Sequence, residues 1–304
     1  MKQHILITGA TGMLGKKLVS ALLEQGHSVS ILSRKQKVIP GVKVYLWDVD
    51  KQTIDEECID AADCIIHLAG ENIAGGKWTP ERKHKLISSR VDSTHLLYRT
   101  IATRTNRISH FISASAVGIY GDRDDEILTE ESIPGTGFMA ECCKRWEASV
   151  DKGLALGMRV SKVRTGVVLG KEGGALEPMA KAVRFFAGAP LGTGKQWVPW
   201  IHEEDIINIY LHLLEHPGYS GTLNACAPYP VTNAYLTKAI ANELHRPVWP
   251  INVPERILEL LLGEMTAVIL NSNNTSVQHL LDTGFKFKYT HLEDALAAIY
   301  SQKL

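Results

Sequence analysis

The sequence predicts an α/β protein, a doubly wound parallel sheet carrying a smaller, mainly helical C-terminal lobe. Three observations lead there. Short apolar runs alternate with segments of helical period from His4 to Val168, the rhythm of strands joined by crossover helices. A glycine-rich heptapeptide, Gly9 to Gly15, falls between the first strand-like run and the first helical one. After residue 170 the rhythm gives way to a stretch punctuated by glycine and proline, Gly173 to Pro199, and then to mostly helical segments.

Taken in order, His4 to Thr8 is an apolar run bounded by glycine, a buried strand. Leu14, Leu18, Ala21 and Leu22 recur at helical spacing until Gly26 ends the helix. Val29–Leu32, Val42–Trp47, Cys64–Leu68 and Phe111–Ser113 read as further strands, with a long helix from Pro80 to about Arg104 between the last two. A helix at about Met139 to Gly157 leads to a sixth strand, Val160–Val168. The sheet domain is expected over residues 1–170, with 201–230 returning to it through Ile201–Glu215 and Thr222–Ala225. Residues 171–200 and 231–304 are expected to form the small lobe.

Composition is that of a globular chain of one large or two small domains: 304 residues, 45% apolar and 22% charged, which excludes disorder and collagen. The 33 basic residues balance the 33 acidic ones, so no basic footprint points to nucleic acid. No run of 18 apolar residues offers a membrane span. The N-terminus enters a strand at once, without an apolar leader ending in small residues, and a cytoplasmic protein is expected. Five cysteines, Cys58, Cys64, Cys142, Cys143 and Cys226, show no zinc spacing and are expected as thiols. His202 with Glu203, Glu204 and Asp205 lacks the HExxH arrangement, so no metal is expected.

The strongest chemical signal is Gly9-Ala10-Thr11-Gly12-Met13-Leu14-Gly15. Without a Cβ the chain can turn sharply at Gly9, admit a pyrophosphate near Gly12 and pack helix on strand at Gly15. The helix N-terminus then offers N–H groups and partial positive charge to the phosphates. In this strand-turn-helix setting the motif predicts a Rossmann-type dinucleotide site. The end of the second strand selects the dinucleotide. An NAD enzyme places a carboxylate there for the ribose, whereas this chain reads Ser33-Arg34-Lys35. A hydroxyl and a guanidinium fork suit a 2′-phosphate, so NADP(H) is favoured over NAD(H). An exposed basic turn is the alternative, since Lys35 and Lys37 continue the charge.

These segments, with Asp48-Val49, His67-Leu68-Ala69-Gly70, Ser113-Ala114-Ser115 and Tyr120-Gly121, resemble the extended short-chain dehydrogenase/reductases, the nucleotide-sugar epimerases and dehydratases. More narrowly, Gly70 to Trp78, Ser89-Arg90, Arg164 to Gly170, Pro199 to His202 and a C-terminal Thr283 to Phe287 are similar to an atypical subfamily, the SDR39U1-like epimerase family proteins. The likeness spans nearly the whole chain and implies a family-specific C-terminal domain from about residue 250. It also implies a nicotinamide cofactor along the C-terminal edge of the sheet. Ser33 and Arg34 would take the adenosine phosphate, Asp48 and Val49 would face adenine, and Leu68, Ala69 and Gly70 would line the middle. Arg90 would be a further contact, with Glu71 its neighbour, although a solvated helix arginine is the alternative for Arg90.

The catalytic match fails. The superfamily uses a Tyr four residues before a Lys as its proton donor. Here the segment reads Phe138-Met139-Ala140-Glu141-Cys142-Cys143-Lys144, so one register places Ala140 before Lys144 and the other Met139 before Cys143. Substitutes are sought in Ser113, Ser115, Glu141 and Cys143, with Cys142 nearby; small core residues are the alternative for the cysteines. Gly192 to Trp197 could cradle a phosphate and a base or be a surface turn.

The implied function is an NADP(H)-binding epimerase-like oxidoreductase acting on a nucleotide-sugar or another small carbonyl or alcohol. A non-catalytic NADP(H)-binding sensor or scaffold is the alternative. Non-redox chemistry comes third, as no GxSxG supports it. A small-molecule partner is expected, with neither nucleic acid nor membrane. Relatives that pair through two long helices imply either a monomer or a homodimer.

Overall fold

Along the chain the computed structural model, which describes residues 2–301, begins β1 (His4–Thr8), α1 (Met13–Glu24), β2 (Ser28–Ser33), β3 (Val42–Asp48), β4 (Thr53–Ile54) and β5 (Cys64–His67). It continues α2 (Pro80–Thr103), β6 (His110–Ala116), β7 (Ile127–Leu128), α3 (Phe138–Asp151), β8 (Arg159–Thr165) and β9 (Val167–Leu169). Next come α4 (Leu176–Arg184), β10 (Trp197–Val198), β11 (Trp200–His202), α5 (Glu203–Glu215), β12 (Gly221–Ala225) and β13 (Val231–Thr232). The chain closes with α6 (Asn233–Glu243), α7 (Glu255–Leu262), α8 (Thr266–Leu270), β14 (Asn274–Thr275), α9 (Gln278–Asp282) and α10 (Leu292–Ser301).

Eight strands form one sheet in the order β12-β8-β6-β5-β1-β2-β3-β4. All its pairings are parallel except β3 with β4. The chain moves outward from β1 through β2 and β3, then crosses to β5 on the other side of β1. That reversal opens a crevice at the C-terminal ends of β1 and β5, where α/β sheets bind ligands. Alternation in the strands serves a core on each face. Ile5 and Ile7 pack with Leu18, Leu22, Ile206 and Tyr210 of α1 and α5, while Leu6 packs with Ile65, Phe111, Leu97 and Val150 on the side of α2 and α3.

Where the sequence suggests one strand from Val160 to Val168, the structure has two. β8 stays in the large sheet, whereas β9 leaves it to pair with β11. The break is at Gly166, where a Cβ would lie 2.2 Å from the Pro199 carbonyl oxygen. Helix α3 is also shorter than expected: it passes at residue 152 into a 3₁₀ turn that ends on left-handed Gly157. Beyond β9, helices α4, α6 and α10 enclose a third core around Trp200, Leu236, Ile240 and Leu296. The segment Ser272–Thr275 crosses back to the first part of the chain. β14 pairs with β7, the Ser272 amide donates to Asp122 Oδ1 at 2.9 Å, and Asn273 Nδ2 donates to the Gly121 carbonyl at 2.5 Å.

Candidate functional site

The glycine turn sits at the C-terminal end of β1. Gly9 is left-handed (φ +69°), and a Cβ there would come within 2.7 Å of the Leu68 carbonyl. A Cβ on Gly15 would lie 2.3 Å from the Gly9 oxygen and 2.6 Å from Ala10 Cα. Both contacts are with backbone, so neither position admits a side chain. Gly12 is freer, since a Cβ there would lie 3.3 Å from the Gly9 oxygen, its nearest neighbour. It caps α1 without any side-chain acceptor, and the first turn of α1 carries no acidic residue. The amides of Met13, Leu14 and Gly15 thus lack helical acceptors and face an end of partial positive charge. Thr11 and Gly12 are exposed, and Met13 and Leu14 half-buried.

At the end of β2, Ser33 is buried and its hydroxyl closes a turn, donating to the Lys35 carbonyl at 2.8 Å. Arg34 is exposed, and among the described residues its guanidinium makes no hydrogen bond or ion pair. At the end of β3, Asp48 Oδ1 accepts from the amides of Lys51 and Asp50, both at 3.1 Å. The Lys51 amide foremost, with the Lys51 ammonium behind it, holds this carboxyl below the usual carboxylate range. Val49, half-buried, packs onto the core of the α2–α3 face.

The strand end at β5 is organised by a residue whose part the sequence did not reveal. The Ala69 amide donates to Thr8 Oγ1 at 3.1 Å. The Thr8 hydroxyl also meets His67 Nδ1, 2.7 Å away, and donates to it in the arrangement that the other ring nitrogen requires. That leaves the imidazole proton on Nε2, facing Ser93 Oγ at 3.2 Å and Thr94 Oγ1 at 3.3 Å. Both hydroxyls pass their own protons to the Arg90 carbonyl, at 3.0 and 2.8 Å. This tautomer is assigned from the network. Burial pushes His67 down to about 3, so it stays neutral. Leu68 and Ala69 are half-buried along the crevice, and Gly70 is exposed.

A Cβ on Gly70 would press within 3.0 Å of the Arg90 guanidinium carbon. Arg90 is only 7% exposed. It donates to the carbonyls of Leu86 (2.9 Å) and Glu71 (3.2 Å) and lies 5.0 Å over the Trp146 ring. The Glu71 carboxylate turns instead to Arg82, at 2.8 Å. The solvated alternative for Arg90 is thus excluded.

At the ends of β6 and α3 three of the four candidate proton-transfer groups are hydrogen-bonded or ion-paired, and the fourth is buried. Ser113 is fully buried and donates to the Ala114 carbonyl at 2.9 Å. Ser115, 4% exposed, donates to Glu147 Oε1 at 2.6 Å. Cys143 is buried beside Val117, Ile119 and Tyr120, and burial pushes its thiol up to about 12. Glu141 pairs with Arg145 at 2.6 Å and Lys144 at 3.0 Å, and these bonds, Arg145 first, hold it as an anion. Behind Ser115 lies a network that local sequence did not signal. Glu147 takes Arg164 bidentately, at 2.9 Å on both oxygens. Arg164 donates on to Tyr120 Oη at 2.9 Å, and Tyr120 donates to Asn224 Oδ1 at 2.6 Å. The only sequence hint was Arg164's place in the Arg164–Gly170 motif.

In the C-terminal region the 192–197 loop is tied down from within. Gln196 donates to the Leu191 carbonyl, and Trp197 reaches Asp125 at 2.7 Å. Among the described residues no group of three or more His, Cys, Asp or Glu could hold a metal ion, and no helix is long and apolar enough to cross a membrane.

The sequence matches the NAD dependent epimerase/dehydratase family over residues 5–226 and a domain of unknown function over 253–299. It is 36% identical over 302 residues to the epimerase family protein YfhF of Bacillus subtilis, covering 99% of each chain. It is 34% identical over 301 residues to the chloroplastic epimerase family protein SDR39U1 homolog of Arabidopsis thaliana, covering 97% of this chain and 86% of that protein. The fold superposes on the crystal structure of human epimerase family protein SDR39U1 with NADPH at a TM-score of 0.87, with 28% identity, covering 99% of this chain and 100% of the human one.

Proposed function

The chain belongs to the NAD dependent epimerase/dehydratase family, and from that premise we propose that it binds NADP(H) along the C-terminal edge of its sheet. The observation that carries the choice of NADP(H) is the end of β2. There the buried Ser33 turn presents Arg34 to solvent without an acidic partner, and no carboxylate follows the strand. The glycine turn and the free amides of α1 would take the diphosphate, and Asp48, Val49 and Leu68 to Gly70 would flank the adenine and the middle of the cofactor. Calorimetry tests this directly. Arg34→Ala should weaken NADPH by about tenfold or more, the value of a charge-assisted contact, and leave NADH nearly unchanged. Equal losses for both would overturn it.

The bound cofactor would exchange a hydride with the substrate, read here as a nucleotide-sugar or another small carbonyl or alcohol. In this reading residues 1–170 with 201–230 hold the cofactor and the remainder forms the substrate lobe. The protein is proposed to be cytoplasmic and to act as a monomer or homodimer.

One observation favours a second reading, an NADP(H)-binding sensor or scaffold without turnover. Ser113 and Ser115 donate their protons elsewhere, Glu141 has its charge paired, and Cys143 is buried with its thiol held protonated. General acid–base catalysis contributes about 10²–10⁴ in rate, and none of the four stands free to supply it. Protein that binds NADPH yet never changes its absorbance with a panel of nucleotide-sugars and carbonyls would support the sensor. Turnover that Ser115→Ala abolishes would support the enzyme.

A further inference from the structure

Large apolar side chains scattered singly over a surface need no explanation, whereas a concentration of them marks a place where something docks. The C-terminal lobe carries such a concentration. Phe185, Phe186, Trp249 and Ile251 stand exposed on two loops. Ile257, Leu260 and Leu261 of α7 and Val268 of α8 extend the series, and all eight are 46–80% open to solvent. The segments are joined. The Trp249 amide donates to the Gly188 carbonyl at 2.9 Å and its indole to the Phe186 carbonyl at 2.6 Å. Leu191 bridges to Val253, and α7 starts directly after Pro254. α8 closes on the same loop, since a Cβ on Gly192 would lie 2.7 Å from Leu270 Cδ2. Helix α7 buries Leu258 alone, which leaves Ile257, Leu260 and Leu261 to solvent. Phe186 holds a left-handed backbone (φ +60°), which a bulky residue adopts only at a cost.

Charge says what covers this surface. On the loop side Lys181 and Arg184 close α4, Arg246 lies 5.1 Å over the Phe186 ring, and residues 178–202 and 244–254 contain no Asp or Glu. On the helix side stand Glu255 and Glu259, and Arg256 is the single arginine or lysine from 255 to 285. Among the described residues Lys181, Arg184, Arg246, Glu255 and Glu259 form no ion pair, while Glu264 is engaged by Lys83. A surface with a basic, aromatic half and an acidic, aliphatic half is complementary to itself, because a twofold axis brings each half onto its opposite. An anionic lipid surface would attract the first half and repel the second. At about 150 Å² for each large side chain, the eight expose on the order of 700 Å², close to what one partner gives to a standard interface.

We propose that the loops 185–190 and 246–251, together with α7 and α8, form an isologous interface that takes a second copy of this chain. The apolar side chains supply its centre, and the two charged halves fix its register. It is a different surface from the groove between α2 and α3, which is lined by Ile87, Asp92, Arg145 and Ala148. It is also independent of the cofactor reading.

The test is sedimentation velocity on the full chain across the micromolar range. The wild-type chain dimerises, and added salt weakens the dimer by screening its charged halves. Leu260→Asp raises the dimer dissociation constant by about tenfold or more and leaves the circular dichroism spectrum unchanged, since that side chain is exposed. Reversing the basic half (Arg184→Glu with Arg246→Glu) gives a monomer, as does reversing the acidic half (Glu255→Lys with Glu259→Lys). Mixing the two reversed variants restores a dimer, because opposite charges meet again at both contacts; a folding defect would not be repaired by mixing. A tetramer that Leu260→Asp halves supports the interface equally. The proposal is overturned by a wild-type monomer, whether free or cosedimenting with phosphatidylserine vesicles. It is also overturned by a dimer that Leu260→Asp leaves intact, with Ala148→Glu then testing the α2–α3 groove in its place, and by reversed variants that dimerise alone or stay monomeric when mixed.

Discussion

The two ends of the crevice are built on opposite plans. At the glycine turn the backbone is shaped by side chains that are missing, and the polar groups, the first amides of α1 and the Arg34 guanidinium, have no partners among the described residues. At the ends of β6 and α3 the polar groups are as numerous but face one another: Ser115 to Glu147, Glu147 to Arg164, Arg164 to Tyr120, Tyr120 to Asn224. The first arrangement leaves hydrogen-bonding capacity free, while the second spends it on the fold.

The largest expected effect probes the closed end. Glu147→Ala leaves Arg164 charged, buried and deprived of its carboxylate, and should cost about 3–5 kcal/mol in urea unfolding. Adenosine 2′,5′-bisphosphate should still bind the folded variant at wild-type affinity. A well-folded Glu147→Ala protein with normal stability would erase the contrast between the two ends.

A smaller effect is expected at the open end. Gly15→Ala must displace backbone at Gly9 and Ala10, at about 1–3 kcal/mol of stability, and should impair NADPH binding more than any change at Glu147 does. Gly12→Ala, with its neighbour at 3.3 Å, should be milder in both. If the two alanines behave alike, the close approach at Gly15 does not govern the turn.

A third effect, spread over pH, concerns the join. His67 is buried and neutral, lowered from 6.5 to about 3. Below 6.5 the unfolded chain takes up a proton that the folded chain refuses, so stability is complete above that pH and falls as pH drops toward 3. The expected slope is about 1.4 kcal/mol per pH unit for this group. His110, also lowered to about 3 by burial, adds the same sign. Unfolding midpoints at pH 7.5 and pH 5 check it, and His67→Asn should flatten the dependence by one proton's share.

What was legible beforehand follows the range of each interaction. The glycine turn could be read because its three glycines lie within seven consecutive residues, and the strands of the large sheet because burial leaves short apolar runs. The split of Val160–Val168 was hidden, since its valines continue on both sides of Gly166 and only that glycine marks the bend. The partners of His67 lie 59, 26 and 27 residues away, and Glu147 meets Arg164 across 17. No local pattern announces such pairs. The burial of Arg90 was likewise set by Trp146 and the turn at Gly70, neither on its own helix.

The return of Ser272–Thr275 to the segment after β6 bears on how this polypeptide can be cut. Gly121, Asp122 and Asp124 receive their hydrogen bonds from residues 272 and 273, and Asn224 gives one to Ser276. A recombinant fragment stopped after β12 would contain the whole parallel sheet and still have its wall behind Tyr120 stripped of donors. Dissection into separately expressed halves is therefore the wrong strategy, and the last portion of the gene belongs to the first portion's architecture.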